Sequence, residues 1–296
     1  MIESIFNTAY GVWNNLISIA MTLFTTSPTA ANGAVYSTTH TLYNAISSIS
    51  LPIATVFFLI AIIKDVISSP PDQQAKRFLG DGIKFGVLIG ILANLWIVMG
   101  YVMQIADGIT DSLSVSATYT LSMGTDLQDV ITEASTKPSA TISLGASFGS
   151  DLVNFFSEWM DYALTNLLFF IAGIITLAII VASAISIISS AYQRIIKPLA
   201  ILPFSSIAVA MASGTGEANR VAVGYLKTFF GFCISGAFMV IAVKLGVALT
   251  NGMVAFNMDT LTLHEKVLYI SIQNMITPIV IAGLVKSADS IIGRFF

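Results

Sequence analysis

Hydrophobic residues fall along this chain in long runs, broken by short polar breaks instead of alternating with polar residues. A helix needs about 20 mostly apolar residues to cross the roughly 30 Å hydrocarbon core of a bilayer. Five stretches meet that length, at approximately Tyr43–Ile63, Phe85–Ala106, Leu164–Ser190, Tyr225–Leu249 and Val267–Val285. Aromatic residues stand near several of their ends, among them Tyr43, Trp96, Tyr101, Trp159, Tyr162, Tyr192, Tyr225 and Tyr269. Rings with an apolar body and a polar tip suit the membrane–water interface.

Two further segments have a different pattern. Over Glu3–Thr25, small or polar residues recur every three to four positions: Ser4, Asn7, Thr8, Gly11, Asn14, Asn15, Ser18, Thr22 and Thr25. That period predicts an amphipathic helix whose opposite face carries Phe6, Trp13, Leu16, Ile17 and Phe24. Its polar face has no Lys or Arg, so attraction to anionic lipid does not account for it. Packing against another subunit, a wetted passage and an outer-leaflet interfacial position remain as readings. Pro198–Ser213 is apolar but only 16 residues long, with Pro198 and Pro203 inside it and basic residues on both flanks. This predicts a short re-entrant or interfacial helix and not a span.

The expected architecture is therefore an all-α membrane protein with about five transmembrane helices, an N-terminal amphipathic helix and one short re-entrant or interfacial helix. By segments, residues 1–42 form an extracytoplasmic amphipathic helix and linker. Residues 43–106 hold two spans and a short basic loop, and 107–163 an acidic extracytoplasmic loop. Residues 164–296 hold the last three spans, with the apolar segment at 198–213. Asp107, Asp111, Asp126, Asp129, Glu133, Asp151, Glu158 and Asp161 make the long loop acidic, and Lys137 is its only base.

Composition agrees with lipid as the solvent. Of 296 residues 55% are apolar and 10% charged, where a soluble domain carries about a quarter charged. The mean hydropathy is +0.85. Orientation follows from the 13 Lys and Arg residues. With the loop after the first span inside, Lys64, Lys76, Arg77, Lys84, Arg194, Lys197, Arg220, Lys227, Lys286 and Arg294 are all cytoplasmic. Lys137, Lys244 and Lys266 are then outside. The positive-inside rule selects this orientation, with the N-terminus outside and the C-terminus in the cytoplasm. Lys244 lies within the fourth span, where it either snorkels outward or faces a lumen.

Candidate chemistry is sparse. The net charge of −3 gives no basic field for nucleic acid. One cysteine, Cys233, and two histidines, His40 and His264, supply no metal-binding pattern, and no phosphate-loop lysine follows Gly214-Thr215-Gly216. Gly145-Ala146-Ser147-Phe148-Gly149 matches a nucleophile-elbow pattern, but no predicted strand leads into it. The expectation is no catalytic residue, no metal and no cofactor. Gly82, Gly86 and Gly90 form a tandem row that lets another helix approach closely, within the chain or between subunits.

With that layout, the chain resembles the polytopic membrane subunit of type IV secretion and conjugation machines, the TrbL-like family. The likeness is strongest from Arg194 to Gly246, where Arg194-x-x-Lys197-Pro198-Leu199-Ala200-x-x-Pro203-Phe204 leads through a short polar helix into a long Gly-rich span. The resemblance implies a non-enzymatic platform or channel subunit in the bacterial plasma membrane, assembled from several copies in a ring. Its partners would be lipids, other machine subunits including motor ATPases on the cytoplasmic side, and transiently a DNA–protein cargo. Asn7, Asn14, Asn15 and Ser18 would then turn toward a pore or a subunit contact. A small-solute transporter or another pore former is the alternative.

Overall fold

The structure, a computed structural model, describes residues 2–29, 33–114, 120–121, 124–139, 148–251 and 261–295. Among them no strand occurs, and helices α1 (Ile2–Thr25), α2 (Gly33–Ile67), α3 (Pro71–Ala93), α4 (Leu95–Ser114), α5 (Thr125–Ser135), α6 (Phe148–Ile201), α7 (Ser205–Ala210), α8 (Glu217–Asn251) and α9 (Leu263–Phe295) account for nearly all residues. The chain is an all-α membrane protein. Four helical stretches are long and apolar enough to cross a bilayer, Gly33–Asp65, Gly149–Ser213, Glu217–Leu249 and Leu263–Ala288, and the α3–α4 pair makes a fifth if counted as one span.

The second span departs from the expected straight helix. α3 and α4 meet at a 71° bend centred on Asn94, whose φ of −113° and ψ of 13° interrupt the helix. Asn94 supplies its own caps. Its backbone N–H donates to Ile91 O at 3.1 Å, and its side-chain Nδ2 donates to Gly90 O at 3.1 Å. Freed carbonyls at membrane depth need such partners, since lipid offers none. Within the long acidic segment α4 continues to Ser114, α5 occupies the middle, and α6 begins at Phe148. At 54 residues α6 is about 80 Å long, far more than one crossing requires.

Two compact units are built from segments scattered along the chain. The first takes residues 1–20, 117–189 and 242–285. In it α1 buries Phe6, Ala9, Trp13, Ile17 and Ala20 completely. Phe6 meets Phe169 of α6 edge-on at 6.5 Å, and Gly173 leaves room for Ile5, whose Cγ2 would sit 3.3 Å from an added Cβ. The Tyr10 hydroxyl donates to Asn274 Oδ1 of α9. α9 opens with a reciprocal cap: the Thr262 N–H and hydroxyl both donate to Glu265 Oε2, at 2.9 and 2.8 Å.

The second unit takes residues 21–116, 190–241 and 286–296. Its core joins Ala54 of α2, Leu88, Leu95, Met99 and Met103 of α3–α4, Leu199 and Leu202 after Pro198, and Phe229 and Cys233 of α8. Here Pro198–Ser213 is no separate helix lying on a surface. It continues α6 through Pro198 to Ile201, then runs as two 3-10 turns around the short α7. Its irregular backbone is tied down: Tyr225 donates to Ile201 O at 2.8 Å, and Ser213 Oγ donates to Ala54 O at 2.8 Å.

Candidate functional site

The most charged interior point of the second unit is Arg194, near the C-terminal end of α6. Only 1% of its side chain is exposed, and 13% of Asp107's. Nη2 donates to Asp107 Oδ1 at 2.7 Å, while Nη1 donates to the carbonyls of Leu23 at 3.2 Å and Thr26 at 3.1 Å. α1 has no base in its own last turn, so its unpaired C-terminal carbonyls receive their cation from a residue far along the sequence. A guanidinium is suited to this because its planar fork donates in several directions at once and stays charged. The charge also opposes the negative end of the helix dipole.

Helix α8 makes the space. A Cβ on Gly236 would fall 2.2 Å from Arg194 Nε and 2.5 Å from Cζ, so the guanidinium lies directly on glycine backbone. Cys233, one turn earlier, is buried beside it and is a free thiol. Two atoms of the cluster, Arg194 Nε and Asp107 Oδ2, are buried with no hydrogen-bond partner. A buried ion pair of this kind is costly to form, because both charges leave water.

The pair also joins two residues that the sequence places on opposite sides. Asp107 was expected in the extracytoplasmic loop and Arg194 among the cytoplasmic bases, yet the two are in contact. Gly236 lies about 28 Å along α8 from Glu217, at 1.5 Å per residue. Lys197 is likewise well along α8, with its Nζ 5.9 Å from the centre of the Phe232 ring. Neither base therefore sits level with Glu217 and Arg220.

The other anticipated residues separate. Asn7, Asn15 and Ser18 are exposed on the polar side of α1. Asn14 is not with them. Its Nδ2 donates to Leu121 O and its Oδ1 accepts from the Leu121 N–H, both at 2.9 Å, so it ties α1 to the segment after α4. Trp13 and Phe24, on the apolar face of α1, are fully buried within the chain. An added Cβ on Gly82, Gly86 or Gly90 meets nothing within 4 Å, so no helix of this chain fills that groove among the described residues. Lys244 is half-buried in α8 and has an interaction within the chain. Ser147 lies outside the described residues. His264 instead meets Thr165 Oγ1 at 3.1 Å. No three His, Cys, Asp or Glu side chains converge in a metal-binding geometry among the described residues.

Sequence reasoning missed the Arg194–Asp107 pair and the break at Asn94. A charged residue close to the Pro198 interruption, and an Asn-Leu-Trp following a run of helix formers, were the available signals. Comparison of the chain with protein-family models, with curated proteins and with solved structures finds no match.

Proposed function

We propose that this chain is a non-enzymatic subunit of a type IV secretion or conjugation conduit, assembled in several copies in the bacterial plasma membrane and helping DNA–protein or protein substrates across it. The observation that supports this is the uncovered polar face of α1. Its apolar side is consumed inside the chain, whereas Ser4, Asn7, Thr8, Gly11, Asn15, Ser18 and Thr22 remain exposed. In a protein whose outer surface is otherwise set for lipid, such a face is matched by water or by hydrogen-bonding partners from another helix. Without Lys or Arg it would not trap a polyanionic strand. The sequence resemblance around Arg194–Gly246 supplies the machine, and the basic residues at 64–84 and at Arg220 supply a cytoplasmic side that motor ATPases would face. A small-solute transporter is the second reading, favoured by the interrupted α3–α4 span.

The test is a conjugation assay with the double variant Asn7→Leu/Asn15→Leu. The expected outcome is normal insertion and abundance, with transfer lost by orders of magnitude, and no effect of Ser147→Ala. Normal transfer by the asparagine variant together with loss in Ser147→Ala would overturn the proposal.

A further inference from the structure

In the second unit the apolar stretch of α2 closes at Asp65. α2 itself ends at Ile67, and Ser68, Ser69 and Pro70 alone separate it from α3. Two prolines make this corner. Pro70 is extended, with φ −59° and ψ 146°, and so cannot continue α2, while Pro71 opens α3, where a missing N–H costs nothing. Hydrogen bonds then fix the turn. Ser69 Oγ donates to Asp65 O, the Gln73 N–H to Pro70 O at 3.0 Å, and Gln74 Nε2 to Ser69 O at 3.2 Å.

Acids and bases sort to different sides of this corner. Asp65 and Asp81 line a cavity of about 470 Å³ shared with Ser213, Thr215 and Asn219, and Lys84 stands there too, 3.2 Å from Asp81. Lys64, Lys76 and Arg77 lie outside that lining. All three are exposed, and among the described residues no ion pair or hydrogen bond engages their charged ends. The remaining acid of the corner, Asp72, lies in the first turn of α3, where it opposes the positive end of the helix dipole. Beside the unpaired bases stand uncovered apolar side chains: Ile67 is 78% exposed, Leu79 65% and Phe78 55%.

Exposed apolar groups among unpaired cations, at the end of a span, match the boundary between acyl chains and anionic headgroups. Lysine and arginine stems run along apolar surface while their heads reach phosphate. A polyanionic strand would satisfy the charges but leave Ile67, Phe78 and Leu79 in water. The contrast within the chain is α1, amphipathic but without a base. We propose that the α2–α3 corner docks on anionic phospholipid, with Lys64, Lys76 and Arg77 holding headgroup phosphates and Ile67, Phe78 and Leu79 seated among the acyl chains. This docking is separate from the transfer function proposed above, and its test does not use transfer.

The full chain is placed in phosphatidylcholine nanodiscs containing a minor share of phosphatidylglycerol, and the lipids that stay bound are identified by native mass spectrometry. Retained phosphatidylglycerol should exceed its share of the bilayer by about tenfold, as a few unpaired bases at an anionic surface would give. The excess should shrink as the screening length falls from about 8 Å at physiological salt to about 3 Å in molar salt. Lys64→Gln/Lys76→Gln/Arg77→Gln, which keeps polar, helix-favouring side chains, should bring retention down to the bulk share. Arg220→Gln, which removes a base already 3.5 Å from Glu217, should keep the excess. Retention at the bulk share in the natural chain, or an excess that survives the triple substitution, would overturn the proposal. Cross-links from Lys64 and Lys76 to a second copy, found together with bulk-share retention, would assign the corner to self-association instead.

Discussion

Arg194 does the work of several residues at once. It caps the C-terminal carbonyls of α1, pairs with Asp107 of α4, and lies against the bare backbone of α8 at Gly236. Removing one member of such a buried pair leaves an uncompensated charge and costs about 3–5 kcal/mol, whereas replacing both by apolar groups of similar volume restores much of the loss. Arg194→Met alone should therefore lower the unfolding midpoint strongly, and Arg194→Met/Asp107→Leu should recover part of it. A double-mutant cycle of midpoints in detergent measures the coupling, and additive effects would show the pair to be energetically idle. The capping of α1 is a separate contribution, so recovery in the double variant should remain incomplete.

Among the elements, the clearest success of sequence reasoning is periodicity and the clearest failure is continuity. Hydropathy locates every long helix because bilayer thickness sets a minimum length that composition must satisfy, and the three-to-four residue spacing of α1 identifies its two faces correctly apart from Asn14. What hydropathy cannot register is a break that costs no apolar residue. Asn94 interrupts an otherwise uniform run, and its effect depends on two hydrogen bonds back to Gly90 and Ile91 that no pattern displays. Likewise Pro198 suggested a helix end, yet α6 passes through it and ends only at Ile201, where Tyr225 of a different helix satisfies the freed carbonyl. Asn14 belonged by spacing to the exposed stripe, but its amide mates with both backbone groups of Leu121, a partner more than a hundred positions away. Asn14→Ala should cost about 1–3 kcal/mol by stranding those groups, while Asn15→Ala should be close to neutral in the same unfolding measurement. Equal effects would mean that the Leu121 contact contributes nothing.

For the whole molecule, the faces left open matter more than those already packed. Among the described residues, no helix meets the Gly82, Gly86 and Gly90 row. If copies associate through it, Gly86→Leu should leave the unfolding midpoint of the single chain unchanged and weaken self-association by about 1–3 kcal/mol, read by native mass spectrometry or by cross-linking in nanodiscs. A chain that stays monomeric under lipid-like conditions, with or without the substitution, would argue against a ring. The asymmetry of α1 points the same way: identical polar faces satisfy one another most simply around a closed rotation axis.

The burial of Cys233 has a practical consequence for mapping this membrane protein. At 2% exposure the only thiol in the sequence is shielded within the core of its unit, so the natural chain already serves as an unreactive background for maleimide chemistry. New cysteines at Lys76, Lys137 and Arg220 can be introduced one at a time without first deleting the native one. A membrane-impermeant reagent added to whole cells should then label Lys137→Cys alone, and all three after the envelope is opened. Labelling of Arg220→Cys from outside would reverse the orientation of the last two spans.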